Sequence, residues 1–298
     1  MDLKSRSPMM TLDTACRHHP GAVFEFYLEQ NRNASIDPSV VKAMKKANCE
    51  LEVKPLDPKS FFEGSPFQDF ARDNMSKVLA NARYHKTMVS DMFRAAVLWH
   101  HGGWYLDTDF VVLHSLRGMK NVLGFQEKDF VNGAVMHLPD HSSFVNALAR
   151  EASSSRWAAS RRVSELHRAT RPRPGFNQSN FGSLGPALLT HTLKSYASKG
   201  KVEDSNCSTS STDCITLLPR ESFYPVRFAH AAVILNTTIS EEMSDVLLHG
   251  AYTLHAPRRR GSNPLGSEVW NHLTKALPVT PGSLFDRAYK KNCVICSL

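Results

Sequence analysis

Four charged residues interrupt an otherwise apolar stretch, SDMFRAAVLWHHGGWYLDTDFVVL, which runs from residue 90 to residue 113. Asp91 and Arg94 fall in a helical pattern, whereas Asp107 and Asp109 fall beside a strand-like pattern. Burying a charge is costly unless the charge is paired or binds a metal. These four residues are therefore the first candidates for chemistry.

The first two charges have helical spacing. Residues three or four positions apart share one face of a helix, so Thr87, Asp91 and Arg94 form a polar stripe beside an apolar one. The spacing allows two interpretations. Asp91 and Arg94 either form an ion pair with each other on the helix surface or bind a charged ligand.

Asp107 and Asp109 form a DxD pattern. In an extended strand, residues two apart point to the same side, so both carboxylates would face one region. Neighbouring carboxylates repel each other unless a cation lies between them, and divalent cations favour oxygen ligands. The pattern therefore predicts a cation site, with an acidic surface turn as the alternative.

Gly102 and Gly103 separate the helical pattern from the DxD segment. A helix, a Gly-Gly turn and a strand lie between Asp91 and Asp107, and this layout can return the DxD pair to the pocket that holds Asp91 and Arg94. Because glycine has no Cβ, the turn would also let the backbone approach a ligand closely.

Hydrophobic periodicity predicts an α/β chain. Strands at 22–28 and 50–56 flank a helix at 38–49, which is the pattern of a βαβ unit with a parallel sheet. A helix over 86–101 follows an irregular segment, 57–85. The remaining predicted elements are strands beside the DxD and at 130–138, 214–219 and 251–256, and helices at 142–152, 185–197, 240–248 and 267–276.

The composition limits the possible partners. The chain has 298 residues, of which 42% are apolar and 21% charged, as in globular proteins. Its formal charge of +8 suits an anionic ligand such as a nucleotide. Nucleic acid is not a predicted partner, because the sequence has no basic stripe with interleaved aromatic residues. No apolar run reaches the roughly 18 residues that a membrane span needs.

The six cysteines and five N-x-Ser/Thr sequons favour an oxidising, secretory compartment. Cys207 and Cys214 flank a short polar loop and form a plausible local disulfide. The N-terminus, however, lacks the apolar segment of a signal peptide. We therefore expect a fragment, or a short form that lacks its N-terminus.

Several spaced motifs resemble those of one known family. The stretch that contains the four charges is similar to an SDxxR…GGxYLDxD signature, and KNVLGFQEKDFVNGAVM, GSLGPALLT and LLPRESFYPV are similar to NVLG…NGA, GxxGPxLLT and LPxxxFYP segments. On these motifs the chain resembles glycosyltransferase family 32, the alpha-1,4-glycosyltransferases that include lactosylceramide 4-alpha-galactosyltransferase and alpha-1,4-N-acetylglucosaminyltransferase. The resemblance runs from residue 11 to residue 277.

The resemblance implies a GT-A glycosyltransferase fold, an α/β architecture with a mixed, mostly parallel central sheet flanked by helices. It implies one domain over 11–298, and the sequence itself predicts that residues 1–10 are disordered. Residues 11–115 would form the nucleotide-sugar half, 116–277 the acceptor half and 278–298 a C-terminal tail. The family's first strand and the membrane anchor of full-length relatives are expected to be missing from this chain.

The resemblance also implies an activity. Family members transfer a hexose, galactose or N-acetylglucosamine, from a UDP-sugar to a terminal galactose of a glycolipid or glycoprotein glycan. The reaction retains the anomeric configuration, forms an alpha-1,4 linkage, requires Mn²⁺ and takes place in the Golgi lumen. A catalytically inactive glycan-binding or scaffold relative is the alternative, because the first strand is missing and the segment after His255 departs from the family pattern.

The family's site residues can be carried onto this sequence. His255 in AYTLHAPRRR aligns with a family histidine, and a neutral imidazole suits Mn²⁺, although a core or loop histidine is the alternative. The implied roles are catalysis by Asp91, Arg94, Asp107 and Asp109; donor binding by Ser90, Gly102, Gly103, Tyr105 and Leu106; donor-sugar or acceptor contact by Asn132, Gly133, Gly185 and Pro186; and metal binding by Asp107, Asp109 and His255.

Overall fold

The computed structural model describes residues 7–29, 36, 38–57, 60–80, 85–154, 182–203, 214–256 and 281–294. The chain forms two compact units. The first comprises Met1–Leu56, Leu106–Gly118 and Pro219–Leu298, and the second comprises Asp57–Tyr105 and Met119–Leu218. Neither unit is continuous in sequence, whereas the prediction divided the chain at residue 115.

Strands and helices alternate along the chain, so the predicted α/β class is confirmed. The strands are β1 (Val23–Glu29), β2 (Glu50–Leu56), β3 (Gly103–Leu106), β4 (Phe110–Val112), β5 (Val122–Glu127), β6 (Phe130–Leu138), β7 (Val202–Glu203), β8 (Ile215–Leu218) and β9 (Thr253–His255). The helices are α1 (Ser7–His18), α2 (Pro38–Lys46), α3 (Gln68–Leu79), α4 (His85–His101), α5 (Ser143–Ser153), α6 (Pro186–Ala197), α7 (Arg220–Phe223), the 3-10 helix η1 (Phe228–Leu235), α8 (Glu241–Leu248) and α9 (Leu284–Asn292). None of these helices combines the length and the apolar character that crossing a bilayer requires.

The first unit contains the predicted βαβ element. Strands β1 and β2 pair in parallel, with Val23 opposite Glu50, and α2 connects them. Because side chains alternate across a strand, β1 turns Phe26 into a core that includes Leu12 of α1 and Met44 of α2. The predicted parallel βαβ element is confirmed.

Helix α1 joins distant segments of the first unit. Cys16, near its C-terminus, forms a disulfide with Cys49, which precedes β2. Asp13 is 1% exposed. Its carboxylate accepts hydrogen bonds from the Tyr289 hydroxyl of α9 at 2.8 Å and from the backbone N–H of Val294 at 2.6 Å. One helix therefore contacts both the βαβ element and the end of the described chain.

Two other cysteines are also oxidised. Cys214 and Cys293 are both disulfide-bonded. Cys207, the predicted partner of Cys214, lies outside the described residues, so that pairing stays a prediction.

The second unit is built on a five-stranded sheet with the order β3-β6-β5-β8-β7. Strands β5 and β6 are antiparallel, whereas β5–β8 and β7–β8 are parallel, so the sheet is mixed as predicted. Helices α4 and α6 both contact β6. Helix α4 buries residues on most of its circumference, which explains why its sequence is so apolar.

Helix α3 lies inside the segment 57–85 that was predicted to be irregular. Gly64 and Pro66 suggested an irregular segment, but both residues precede the helix and do not interrupt it. Its buried residues, Phe70, Ala71, Met75 and Val78, and the N-cap residue Phe67 recur at helical spacing. That periodicity was the signal that could have revealed α3.

The chain ends also differ from prediction. Helix α1 begins at Ser7, within the residues that were predicted to be disordered, and its Met10 is buried in the core of the first unit. Helix α9 lies within the predicted tail because Leu284, Phe285 and Ala288 pack into the same core. The predicted helix at 267–276 lies outside the described residues.

Removing the Cys16–Cys49 disulfide should destabilise the first unit. The bond closes a loop with a sequence separation of 33, and a loop of this size is worth about 3–4 kcal/mol through the entropy of the unfolded chain. We expect the double variant Cys16→Ala/Cys49→Ala to unfold at a lower urea concentration, as followed by circular dichroism. An unchanged midpoint would show that the bond makes no contribution.

Candidate functional site

Asp91 and Arg94 form a buried ion pair on α4, within the second unit. The Arg94 Nη2 atom lies 3.2 Å from Asp91 Oδ1, and the side chains are only 8% and 2% exposed. The two residues therefore pair with each other, as one interpretation of their spacing held, but they do so in the interior and not on the helix surface. Such a pair has a large desolvation cost and requires favourable surroundings.

Two glycines make room for this pair. A Cβ at Gly185 would lie 2.7 Å from Asp91 Oδ1 and closer still to Oδ2. A Cβ at Gly133 would lie 3.2 Å from Cδ of Arg94 and 2.8 Å from Leu189. The predicted site residues Gly133 and Gly185 thus lie directly against the pair.

The Asp91 carboxylate also lies at the N-terminus of α6. Gly185 is the N-cap of this helix and Pro186 occupies its first turn. The N-terminus of a helix carries partial positive charge and favours a neighbouring anion. The position of Asp91 is therefore electrostatically favourable as well as sterically restricted.

Arg94 is oriented by contacts beyond Asp91. Its Nε donates to the Ser90 carbonyl oxygen at 3.4 Å, and its guanidinium carbon lies 5.2 Å from the centre of the Tyr105 ring. Two residues predicted to bind the donor, Ser90 and Tyr105, therefore contact Arg94 in this structure.

Asn132 lies on β6 and is held by its neighbours. Its Oδ1 accepts from the Ala134 backbone N–H at 3.0 Å, and its Nδ2 donates to Gln126 Oε1 at 2.9 Å. Gln126 is 9% exposed and was missed by the sequence analysis, because a single glutamine in a strand has no distinguishing pattern.

A threonine that the sequence analysis missed connects β6 with α6. The Thr190 hydroxyl donates to the Pro186 carbonyl at 2.7 Å and accepts from the Val131 N–H at 3.0 Å. This connection fixes the strand that carries Gly133 against the helix that begins after Gly185.

The two glycines at the end of α4 differ in their surroundings. Gly102 has φ +65°, and a Cβ there would lie 2.7 Å from the backbone nitrogen of Asp140. Gly103 has φ +92°, with open space where a Cβ would lie. Gly102 therefore lacks a side chain because the backbone at Asp140 packs closely against it.

The DxD segment belongs to the first unit and is not an extended strand. Asp107 follows β3, Thr108 and Asp109 form a turn, and β4 begins at Phe110. The prediction that the DxD lies in an extended strand is therefore wrong, because a turn interrupts the strand. That both carboxylates face one region stays a prediction. Leu106, the last residue of β3, is half-buried.

His255 lies beside Asp109. Strands β4 and β9 are antiparallel, with Phe110 opposite His255. The His255 ring stacks on the Phe110 ring at 4.4 Å, and its Nε2 lies 3.5 Å from Asp109 Oδ1. The side chains of His255 and Asp109 are 10% and 12% exposed. The structure thus brings together two of the three predicted metal ligands.

Asp107 does not complete a metal cluster in this geometry. Within the part of the chain that the structure describes, no group of three or more His, Cys, Asp or Glu side chains is arranged to hold a metal ion. The prediction that the DxD pair shares a pocket with Asp91 and Arg94 stays a prediction, since the two groups belong to different units.

Helix α1 fixes the strand that follows the DxD turn. The Thr11 hydroxyl donates to the Phe110 carbonyl at 2.8 Å and accepts from the Phe110 N–H at 3.0 Å. One turn further on, the Thr14 hydroxyl accepts from the Val112 N–H at 2.9 Å. Thr11 and Thr14 were missed by the sequence analysis, because a threonine within a helix carries no signal for a bond to a distant strand.

Burial favours the neutral form of two histidines, one in each unit. Burial lowers the pKa of His137 on β6, and its Nδ1 accepts from the Asn121 N–H at 3.2 Å. Burial, and then the neighbouring His18 and Arg117, lower the pKa of His19, whose Nε2 accepts from the N–H of Leu116 at 3.2 Å. Both rings act as hydrogen-bond acceptors, a role that a doubly protonated ring cannot have.

Two family models match most of the chain. Residues 9–130 match the model described as "Glycosyltransferase sugar-binding region containing DXD motif". Residues 173–297 match the model described as "Alpha 1,4-glycosyltransferase conserved region". The first match contains Asp91, Arg94 and the DxD, and the second contains Gly185 and His255.

Curated relatives agree with these matches. The chain is 25% identical to lactosylceramide 4-alpha-galactosyltransferase of Rattus norvegicus, over 95% of this chain and 72% of that protein. Identity to the Homo sapiens protein of the same name is 26%, over 83% of this chain and 63% of the relative. Identity to human alpha-1,4-N-acetylglucosaminyltransferase is 23%, over 80% of this chain and 58% of the relative. The chain thus spans less than two thirds of the length of both human relatives.

A solved structure is also similar. It is named PaToxG glycosyltransferase and matches with a TM-score of 0.39 and 16% identity, over 66% of this chain and 64% of that one.

Substituting Gly185 should destabilise the second unit through Asp91. In Gly185→Ala the new methyl group would meet the Asp91 carboxylate, and overpacking of this kind costs about 1–3 kcal/mol. We expect a lower free energy of unfolding in urea. In an Asp91→Ala background the same change should cost less, because the carboxylate is gone; strictly additive costs would contradict this account.

Substituting Thr11 should loosen β4 at the DxD turn. Thr11→Val keeps the shape of the side chain but leaves the buried N–H and C=O of Phe110 without the hydroxyl, at a cost of about 1–3 kcal/mol. Thr11→Ser retains the hydroxyl and is the matched control. If the two variants were equally stable in thermal unfolding, these hydrogen bonds would not stabilise the fold.

Proposed function

We propose that this chain, which belongs to the alpha-1,4-glycosyltransferases with a DXD-containing sugar-binding region, transfers a hexose from a UDP-sugar to a glycan. The hexose is galactose or N-acetylglucosamine, and the acceptor is a terminal galactose of a glycolipid or glycoprotein. The new bond is an alpha-1,4 linkage formed with retention of configuration. The names of the galactosyltransferase and N-acetylglucosaminyltransferase relatives support this choice of sugar and linkage.

The observation that carries the proposal is the pairing of Asp109 with His255. A carboxylate oxygen and an imidazole nitrogen from different strands lie 3.5 Å apart, and both side chains are largely shielded from water. Carboxylate and imidazole are suitable ligands for Mn²⁺ and similar divalent cations. These two ligand types therefore fit such a cation, which Asp109 and His255 would hold. Asp107 would bind the same cation or the ribose of the UDP-sugar.

A bound divalent cation would stabilise negative charge on the UDP leaving group as the glycosidic bond breaks. The protein's own part is to keep both ligands in place. Stacking on Phe110 holds the His255 ring, and the Ala256 N–H donates to the Asp109 carbonyl at 2.9 Å. Side chains fixed in this way require little reorganisation when the ligand binds.

Asp91 and Arg94 would bind the donor sugar, and Arg94 would also lie near the diphosphate. The guanidinium is planar and permanently charged, which suits recognition of phosphate oxygens. Its contacts with Asp91, Ser90 and Tyr105 keep it in one orientation. Gly133 and Gly185 act by leaving room for this pair, and Asn132 and Pro186 line the adjoining donor-sugar and acceptor region.

We place the reaction in the Golgi lumen. The Cys16–Cys49 disulfide supports an oxidising compartment. The similarity to lactosylceramide 4-alpha-galactosyltransferase and alpha-1,4-N-acetylglucosaminyltransferase supports the same proposal.

Replacing Asp109 should abolish transfer. With Mn²⁺ present, UDP release from a panel of UDP-sugars and galactose-terminated acceptors should fall by about 100-fold or more in Asp109→Ala, because a cation supplies several kcal/mol of charge stabilisation. Asp69→Ala removes a carboxylate that is 77% exposed and should retain wild-type turnover. An active Asp109→Ala variant would contradict the assignment.

Binding measurements distinguish the inactive alternative. Calorimetry of the wild type should show UDP binding that depends on Mn²⁺ and weakens in His255→Ala. If the folded wild type bound neither UDP nor Mn²⁺, the chain would be a glycan-binding or scaffold relative.

A further inference from the structure

The sequon Asn236-Thr237-Thr238 lies on the surface of the first unit. It follows η1 directly, and all three residues are exposed. The Asn236 Oδ1 atom accepts two hydrogen bonds from Thr238, one from its backbone N–H and one from its hydroxyl, each at 2.7 Å. This is an Asx turn that also includes the hydroxyl of the sequon.

We propose that Asn236 is a site of N-linked glycosylation. Because a backbone N–H can only donate, the carboxamide atom that faces Thr238 is the oxygen, and the nitrogen is on the other side of the group. Within the described residues Nδ2 of Asn236 makes no hydrogen bond. The turn therefore binds the carboxamide oxygen with two donors and leaves the nitrogen accessible for reaction.

The reaction requires a co-substrate from outside the chain, a lipid-linked oligosaccharide pyrophosphate, and the luminal enzyme that uses it. A bond forms between Nδ2 of Asn236 and the anomeric carbon of the oligosaccharide. The bond from that carbon to the pyrophosphate oxygen breaks, and the lipid pyrophosphate leaves with the electron pair. The nitrogen loses one proton, so atoms and charge balance.

Both flanks of the sequon are anchored. Before it, Ile234 is fully buried and the Asn236 N–H donates to the Val233 carbonyl at 3.1 Å. After it, Arg287 Nη2 donates to the Ile239 carbonyl at 2.7 Å. A glycan on Asn236 would therefore extend from a short exposed loop without displacing any buried residue.

A second sequon, Asn74-Met75-Ser76, provides a contrast within the same chain. It lies inside α3, where Nδ2 of Asn74 donates to the Phe70 carbonyl at 3.2 Å. Asn74 is half-buried, and Met75 between the two sequon residues is buried. Residues two apart on a helix do not face each other, so Ser76 cannot bind the Asn74 carboxamide as Thr238 binds Asn236. The structure thus distinguishes the two sequons, and Asn74 stays unmodified.

The disulfides indicate exposure to the compartment in which this modification occurs. Cys16 and Cys49 are bonded to each other, and Cys214 and Cys293 are also disulfide-bonded. Disulfides form in the same secretory lumen in which sequons are glycosylated. The inference about Asn236 rests on these bonds and does not depend on the proposed transferase activity.

The test is site mapping of the full chain, directed into the secretory lumen of a eukaryotic cell by a cleavable signal. Release of glycans with peptide-N-glycosidase in ¹⁸O-water converts each modified Asn to an Asp that carries the heavy isotope. We expect the label at Asn236 and its absence at Asn74. An unlabelled Asn236 in molecules whose Cys16–Cys49 disulfide has formed would overturn the proposal, and so would equal labelling of Asn74.

Variants separate the roles of the carboxamide and the hydroxyl. Asn236→Gln and Thr238→Val should each lose the electrophoretic shift of one glycan, whereas Thr238→Ser should keep it. Asn74→Gln, the matched control, should leave the glycan pattern unchanged. A Thr238→Val protein that still carried the Asn236 glycan would show that the hydroxyl is not required and would contradict the mechanism.

Discussion

The buried ion pair between Asp91 and Arg94 constrains several elements of the second unit. Removing one partner of such a pair leaves an uncompensated charge in the interior. Its two ends also exclude side chains at Gly133 and Gly185. Three motifs that are far apart in sequence therefore belong to one packing arrangement: the helix with the two charges, the strand with Gly133 and the helix that starts after Gly185.

In the first unit, hydrogen bonds to the backbone and strand pairing hold the DxD turn in place. The DxD turn is fixed on one side by Thr11, which bonds to both polar groups of Phe110, and on the other by β9, which carries His255. The orientation of Asp109 thus depends on residues that carry no charge themselves.

The sequence predicted much of this arrangement. Periodicity located α4, the βαβ element and β6, because each has a regular pattern of buried positions. Charges in apolar segments identified Asp91, Arg94 and Asp109, whereas His255 was identified by the family resemblance. The role of Gly185 as space for the Asp91 carboxylate depends on a contact across the fold, which a linear sequence does not encode. Thr11 was missed for the same reason. Strand alternation failed as a guide for Asp107 because a turn interrupts the strand after it.

The bonds of Asp13 have a consequence for biosynthesis. This buried carboxylate near the start of the chain is satisfied by Tyr289 and Val294, at sequence separations of 276 and 281. These two bonds can form only after Tyr289 and Val294 have been synthesised, whereas α1 can pack on the βαβ element and form the Cys16–Cys49 disulfide earlier. Contacts of such long range slow folding and leave apolar surface exposed in the meantime. The first unit is therefore closed by contacts between residues far apart in sequence, and Asp13 gains its two hydrogen bonds only when α9 and Val294 have folded against α1.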